Sequence, residues 1–419
     1  MQTLFPDVPT ADLARRATAV MTPNYKPLPI VLAGGSGARV HDRDGRHWVD
    51  MVAGIAVNAL GHGHPRLARA IAAQAAEMIH ISNLYLNEPA IALAERLVAQ
   101  TFADRVFFCN SGAEANEAAL KLARRYQTTV ANRPDKTGIL AFHHSFHGRT
   151  FGALSVTGQP KYHKGFEPLV PGVVFARFGD LADVARVLDS AATPVGTLIV
   201  EPIQCEGGIN VAPDGFFRDL RALCDARDIL ISFDEVQTGV GRTGRLFCYE
   251  HLGMQPDILT TAKGIAGGLP LGAMLCSEKV AKGFEPGSHA TTFGGNALAT
   301  RAGLEVLNVI ADEGLLDNAR RVGGHLACGL AGLVVRHPDR CKAQRGLGLV
   351  QGLELAGREA SNGPTADDFA LAVTAKAREA GLLINVVQGR TLRFVPPLVT
   401  TEADVDAALA ILEGVIAAG

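Results

Sequence analysis

No stretch of this 419-residue sequence approaches the roughly 18 consecutive apolar residues that a membrane span needs. The first residues, MQTLFPDVPTADLARR, bring proline and aspartate early and form no apolar core, so they do not read as a signal peptide. Charge of one sign is missing too: the net charge is −2, which leaves no electrostatic footprint for nucleic acid or for a membrane surface. Seven cysteines, at 109, 205, 224, 248, 276, 328 and 341, are odd in number and form no CxxC pair. That pattern argues against a disulfide framework. The expectation is a soluble, cytoplasmic protein with reduced thiols.

Lysine is scarce as well, ten residues in all, and one of them stands out. Asp257-Ile258-Leu259-Thr260-Thr261-Ala262 reads as a short buried strand, and it delivers Lys263 into the flexible run Gly264-Ile265-Ala266-Gly267-Gly268. Upstream, Ile229-Leu230-Ile231-Ser232-Phe233 reads as a second strand that ends on Asp234-Glu235. A strand-end lysine taken alone equally suits a loop residue paired with a surface acid. An amine and a carboxylate at the carboxyl ends of two buried strands also suit pyridoxal phosphate. That cofactor needs a lysine for its aldehyde and an acid at its ring nitrogen.

A chain this long suits two domains. Between about residues 90 and 280 apolar runs alternate with helical patterns, as in a mostly parallel α/β sheet. Helices are expected over 88–99 and 114–126. Strands are expected over 106–109, 139–142, 173–176, 197–202, 229–233, 258–262 and 272–276. Residues 299–334 read as one broken helix or two, followed by a strand over 347–355 and a helix over 365–380. A hairpin of 382–387 with 391–395 and a closing helix from about Thr401 complete the pattern. Strands over 38–41 and 47–49 are expected to pack with the C-terminal region. The division that follows is an N-terminal segment, 1–60, belonging to a smaller α+β domain; a large domain, 61–300; and the C-terminal part of the smaller domain, 301–419.

Asn110-Ser111-Gly112-Ala113-Glu114 ends a strand and opens a helix. Free amides and the positive end of the helix dipole suit a phosphate there, although the same residues also suit a plain cap. In His143-His144-Ser145-Phe146-His147-Gly148-Arg149 the consecutive histidines point apart, and no acid or thiol completes a zinc set, so no metal is expected. Phe146 or His147 stacked on a flat ring, with Arg149 clamping a carboxylate, fits better. Glu201-Pro202-Ile203-Gln204-Cys205-Glu206 offers two acids, for acid–base work or as electrostatic partners. The threonines of Ala290-Thr291-Thr292-Phe293-Gly294-Gly295-Asn296 suit phosphate or substrate, or a helix cap. Gly34-Gly35-Ser36-Gly37 lacks a P-loop lysine and reads as a turn.

Together, Ser111-Gly112-Ala113-Glu114, Phe146-His147-Gly148-Arg149, Glu201-Pro202-Ile203-Gln204, Asp234-Glu235-Val236-Gln237, Lys263 and Thr292-Phe293-Gly294-Gly295-Asn296 resemble the class III aminotransferases. Within that family, Gly54-Ile55-Ala56-Val57-Asn58, His80-Ile81-Ser82-Asn83 and Gln159-Pro160-Lys161-Tyr162 are most similar to the acetylornithine aminotransferases. The likeness runs from about Pro23 to the C-terminus. Cys205 stands where glycine is usual, and Phe293 where tyrosine is commoner.

The resemblance implies a fold-type I homodimer whose pyridoxal-phosphate site lies at the subunit interface. Lys263 would be the cofactor-bonded lysine and proton carrier. Asp234 would hold the ring-nitrogen proton, in a motif with Glu235 and Val236. Gln237 would contact the ring's phenolic oxygen, and Phe146 would stack on the ring. Ser111, Gly112, Ala113 and the partner subunit's Thr292 would hold the phosphate. Arg149, with Thr291 near it, would take the donor's α-carboxylate. Arg393 would take that of 2-oxoglutarate, and Glu206 would pair with Arg393 when acetylornithine is bound and release it for the dicarboxylate. The implied reaction passes the terminal amine of acetylornithine to 2-oxoglutarate. Succinylornithine, ornithine, succinyl-diaminopimelate and 4-aminobutyrate are alternative donors, and a pyridoxal-phosphate aminomutase is a reading from another enzyme class.

Overall fold

A computed structural model describes residues 4–356 and 365–418 of the chain. Its centre is a seven-stranded sheet in the order Arg105–Cys109, Gly272–Cys276, Ile258–Thr261, Leu230–Asp234, Val195–Val200, Gly138–Phe142, Val173–Ala176. Every pairing is parallel except the two made by Gly272–Cys276, which runs against both neighbours. Five of these strands, Gly138–Phe142, Val195–Val200, Leu230–Asp234, Ile258–Thr261 and Gly272–Cys276, are buried at every position. Continuous burial is what a parallel sheet covered by helices on both faces demands, and it explains why these runs do not alternate. Because six strands point one way, the loops after them gather along one edge, where such sheets bind ligands.

The N-terminal strands Leu32–Ser36, Arg39–Asp42 and His47–Asp50 form a separate sheet. Its fourth member is Leu382–Leu383, which pairs in parallel with His47–Asp50, so the two ends of the chain share one layer. Trp48 fixes the join by donating its indole N–H to Arg378 O at 2.8 Å. A further sheet, Cys341–Leu347, Val350–Leu355, Thr391–Phe394 and Asn385–Val387, carries Arg393 on its third strand.

Two readings of the sequence are corrected, and the choice left open for 299–334 is resolved. The strand over 347–355 is the second half of a hairpin that begins at Cys341, and the chain turns at Gly348, φ +56°. Residues 299–334 belong to two helices, Ala297–Asp312 and Leu315–Arg336, parted at the left-handed Gly314. Gly34, Gly35 and Ser36 are strand, and only Gly37 turns. Glycine is needed at 35 for approach, since a Cβ there would lie 2.4 Å from Arg39 O.

Candidate active site

The carboxyl edge of the large sheet encloses a cavity of about 420 Å³. Most of its lining comes from the ends of five strands, with Val57 and 268–271 completing it. The strand ends contribute Ser111, Gly112 and Ala113; Phe146 to Arg149; Glu201; Asp234, Val236 and Gln237; and Lys263.

One side is the start of helix Gly112–Arg125. Ser111 caps it, its hydroxyl oxygen accepting from Glu114 N at 3.2 Å, while Glu114 Oε2 reaches back to accept from Asn110 N at 2.7 Å. Within the described residues the amides of Gly112 and Ala113 bond to nothing, as expected of the first turn of a helix. A Cβ on Gly112 would lie 2.7 Å from Val236 Cγ1, and one on Gly148 the same distance from Ala113 Cβ. Only glycines let the two loops close on the helix end.

Asp234 is 5% exposed and has its carboxylate fully engaged. Oδ2 accepts from His147 Nδ1 at 2.7 Å and from Asn116 Nδ2 at 2.8 Å; Oδ1 accepts from Val236 N at 3.0 Å. Asn116 is itself fixed, accepting from Thr260 Oγ1 at 2.7 Å. These partners fix the orientation of the carboxylate. His147 is therefore a support for Asp234, and its buried Nε2 has no partner among the described residues. Sequence reasoning weighed His147 only as a stacking ring or a metal ligand, and it did not single out Asn116. The Glu-Ala-Asn spacing that puts Asn116 one turn into the helix was the only signal available.

Lys263 follows its strand in a left-handed conformation, φ +41°. Burial depresses its ammonium pKa; the negative Glu206 opposes that fall and the positive Arg393 adds to it. A depressed pKa favours the free amine that bonding to a carbonyl requires. Glu201 is nearly buried beside them, and burial, then the charge of Asp234, pushes its carboxyl well above the usual range. It accepts from Phe146 N at 3.0 Å and so holds the aromatic in place.

The two arginines differ. Arg149 has no carboxylate partner among the described residues; its guanidinium lies 3.8 Å from the Tyr162 ring centroid and 5.4 Å from that of Phe146. Arg393, 1% exposed, donates to Gln237 Oε1 at 2.9 Å and to Asn385 Oδ1 at 3.2 Å, and is paired with Glu206. Burial raises the Glu206 pKa, but Arg393 and Lys263 overcome this and hold the carboxyl below its ordinary value. Glu206 and Arg393 adjoin the cavity through Gln237.

Not every residue chosen from sequence comes to the cavity. Glu235 turns into the core, where its carboxylate accepts from Cys248 N at 2.6 Å, Tyr249 N at 2.8 Å and Thr238 Oγ1 at 3.0 Å. Burial pushes it up to about 7. It is a structural neighbour of the site and is corrected as such: alternate residues at a strand end face opposite ways. Thr291 and Thr292 lie outside the cavity of this single chain. Thr291 Oγ1 accepts from Asn110 Nδ2 at 3.2 Å, and Thr292 is exposed. Among the described residues no group of three His, Cys, Asp or Glu side chains is placed to hold a metal ion.

The donor set fits pyridoxal phosphate. Free helix-end amides face one part of the cavity, a buried and oriented carboxylate another, and a primary amine of depressed pKa opens into the same space.

The Aminotransferase class-III family profile matches residues 20–416. The chain is 48% identical over 394 residues to acetylornithine aminotransferase of Gloeobacter violaceus, covering 94% of each protein. It is 44% identical to succinylornithine transaminase of Salmonella typhimurium, covering 92% of this chain and 91% of that one. Among solved structures, the ornithine aminotransferase of Toxoplasma gondii superposes with a TM-score of 0.93 at 31% identity, covering 100% of this chain and 99% of that one.

Proposed function

The chain belongs to the class III aminotransferases, enzymes that use pyridoxal phosphate, and from that premise we propose that it moves the terminal amine of N2-acetyl-L-ornithine to 2-oxoglutarate. The products are N-acetyl-L-glutamate 5-semialdehyde and L-glutamate, a step of arginine biosynthesis. The observation that carries this reading is the unequal pair of arginines, Arg149 open and Arg393 covered by Glu206. Acetylornithine presents its reacting amine far from its carboxylate, whereas glutamate presents an amine beside one. A site serving both needs one cation always available and one that is covered in turn.

When bound, pyridoxal phosphate supplies an aldehyde for the incoming amine and a ring that takes up the electron pair left on carbon when its proton departs. In this reading Lys263 carries that proton between the two carbons. Asp234, held by His147 and Asn116, keeps a proton on the ring nitrogen. The amides of Gly112 and Ala113 hold the phosphate, with the partner subunit's Thr292. Phe146 packs on the ring, and Gln237 contacts its phenolic oxygen. Arg149 binds the donor's α-carboxylate.

A homodimer is supported by the exposed apolar stretch Ile79, Ile81, Leu84, Tyr85 and Leu86, beside exposed Phe293. That stretch is bound to the threonine loop: Asn83 Nδ2 donates to Thr291 O at 3.0 Å and to Gly294 O at 3.1 Å. A patch of this kind marks an interaction surface, and a second copy seated there would explain why Thr292 is exposed and does not line the cavity of its own chain. The same reading divides the chain into a large domain, 61–300, and a smaller one from 1–60 and 301–419. All seven cysteines are unpaired, in keeping with a cytoplasmic enzyme; no described helix is long and apolar enough to cross a membrane.

Steady-state rates with acetylornithine, succinylornithine, ornithine and 4-aminobutyrate, each with 2-oxoglutarate, test the proposal. The highest kcat/KM is expected for acetylornithine. A clear preference for succinylornithine would move the assignment to that donor, and turnover without any oxo-acid acceptor would replace it with an aminomutase.

The arginines are then separable by half-reaction. Arg393→Ala is expected to slow the half-reactions with 2-oxoglutarate and glutamate, by an amount on the order of 2–4 kcal/mol for a lost bidentate partner, and to spare that with acetylornithine. Arg149→Ala is expected to slow the acetylornithine step. Single-turnover absorbance with each substrate reads both, and equal damage to the two steps by Arg393→Ala would end the division of labour.

A further inference from the structure

Residues 206–209 carry Glu206, and their backbone is held both locally, by Asn210 Nδ2 to Gly207 O at 3.0 Å and Gly208 N to Cys205 O at 3.5 Å, and by side chains of the C-terminal region. Arg345 Nε donates to Gly208 O at 2.9 Å and to Ile209 O at 3.1 Å. Arg345 is oriented in turn by Glu354 Oε2 at 2.7 Å and Thr391 Oγ1 at 3.2 Å. Ile209 sits at φ +58°, a conformation only a constrained loop keeps in a β-branched residue. Gly207 lies so close to the 143–145 segment that a Cβ would stand 2.8 Å from His144 O.

The second tie from the C-terminal region is Gln388. It lies in the turn between Asn385–Val387 and Thr391–Phe394, at φ +48°, followed by Gly389 at φ +75°. Asparagine or glycine takes such a position readily; glutamine is strained there. Its side chain supplies what the shorter residues lack. Nε2 donates to Glu206 O at 2.7 Å and to Gln159 Oε1 at 3.0 Å. Gln159, 4% exposed, donates onward to Ser145 O at 3.1 Å. One amide thus joins the turn beside Arg393 to the Glu206 backbone and to the segment that leads into Phe146 and Arg149.

We propose that Gln388 is a positioning residue that pins the Glu206 backbone, so that Arg393 is covered and uncovered by rotation of one carboxylate side chain against a fixed loop. This rests on the two-arginine reading given above. Without the pin, Glu206 O loses its donor and the carboxylate is less well held over Arg393. An oxo-diacid then meets an arginine more often free, and the acylated donor meets a cation less often neutralised.

The test compares Gln388→Gly, Gln388→Asn and Glu206→Gln in the cofactor-loaded enzyme. Glycine removes the strain together with the side chain; asparagine tolerates the turn but falls one methylene short. Both should keep a melting temperature at or above that of the parent. Both should lower KM for 2-oxoglutarate and raise KM for acetylornithine, changing the ratio of the two by about three- to tenfold, the factor one neutral hydrogen bond supplies. If either folded Gln388 variant leaves that ratio unchanged while Glu206→Gln alters it, the pin is wrong and the two-arginine reading stands. If Glu206→Gln also leaves it unchanged, the reading beneath the proposal fails as well. A lower melting temperature with both KM values moved equally would mark Gln388 as merely structural, and would equally overturn the proposal.

Discussion

Lys263→Ala is expected to abolish turnover and, with it, the covalent attachment of pyridoxal phosphate that borohydride would fix to the protein. Two losses coincide in this substitution. The cavity-lining amine that burial biases towards its neutral form is removed, and so is the group proposed to shuttle the proton. Such a double loss belongs with removal of an activated nucleophile, which commonly costs several orders of magnitude. The folded state should persist, because Lys263 donates no side-chain hydrogen bond among those described and the following Gly264–Ala266 turn is held by the backbone. Borohydride treatment followed by mass analysis reads the attachment directly. A variant that still fixes cofactor and still turns over would show the amine to be elsewhere.

Asp234→Asn is expected to lower turnover by about two orders of magnitude or more while cofactor remains bound, the loss typical of removing one preorganised electrostatic group. The substitution keeps the shape, yet an amide nitrogen would face either the His147 and Asn116 donors or the Val236 amide. The built-in support thus turns against the replacement. Rates near those of the parent with full cofactor occupancy would remove the ring-nitrogen role.

What could be read in advance follows the range of the signal. Lys263 and Asp234 were legible because each ends an apolar run that is buried throughout, and a charge there has few reasons to exist. Glu235 was misjudged for the opposite reason: sequence shows that two acids are adjacent and conceals that the backbone turns the second into the core. The support given by His147 and Asn116 depends on side chains 87 and 118 positions from Asp234, a distance over which a single sequence carries no pattern. The hairpin that starts at Cys341 was obscured because its first strand, Cys-Lys-Ala-Gln-Arg-Gly-Leu, is largely polar and only partly buried. The Gly346-Leu347-Gly348 punctuation that marks its end is plain once the turn is seen.

The parallel pairing of His47–Asp50 with Leu382–Leu383 also has a consequence during synthesis. By the time Cys276 has emerged from a ribosome, every strand of the large sheet is present. The N-terminal strands at that moment still await a partner more than 300 positions downstream. At about 5–20 residues per second the wait is on the order of tens of seconds. Throughout it, one edge of His47–Asp50 offers unpaired amides and carbonyls, with Trp48 beside them, to any other strand in reach. A chain cut short before Leu382 would stay in that condition permanently. Truncation at the C-terminus should therefore be felt first at the opposite end of the polypeptide, as aggregation seeded from residues 47–50.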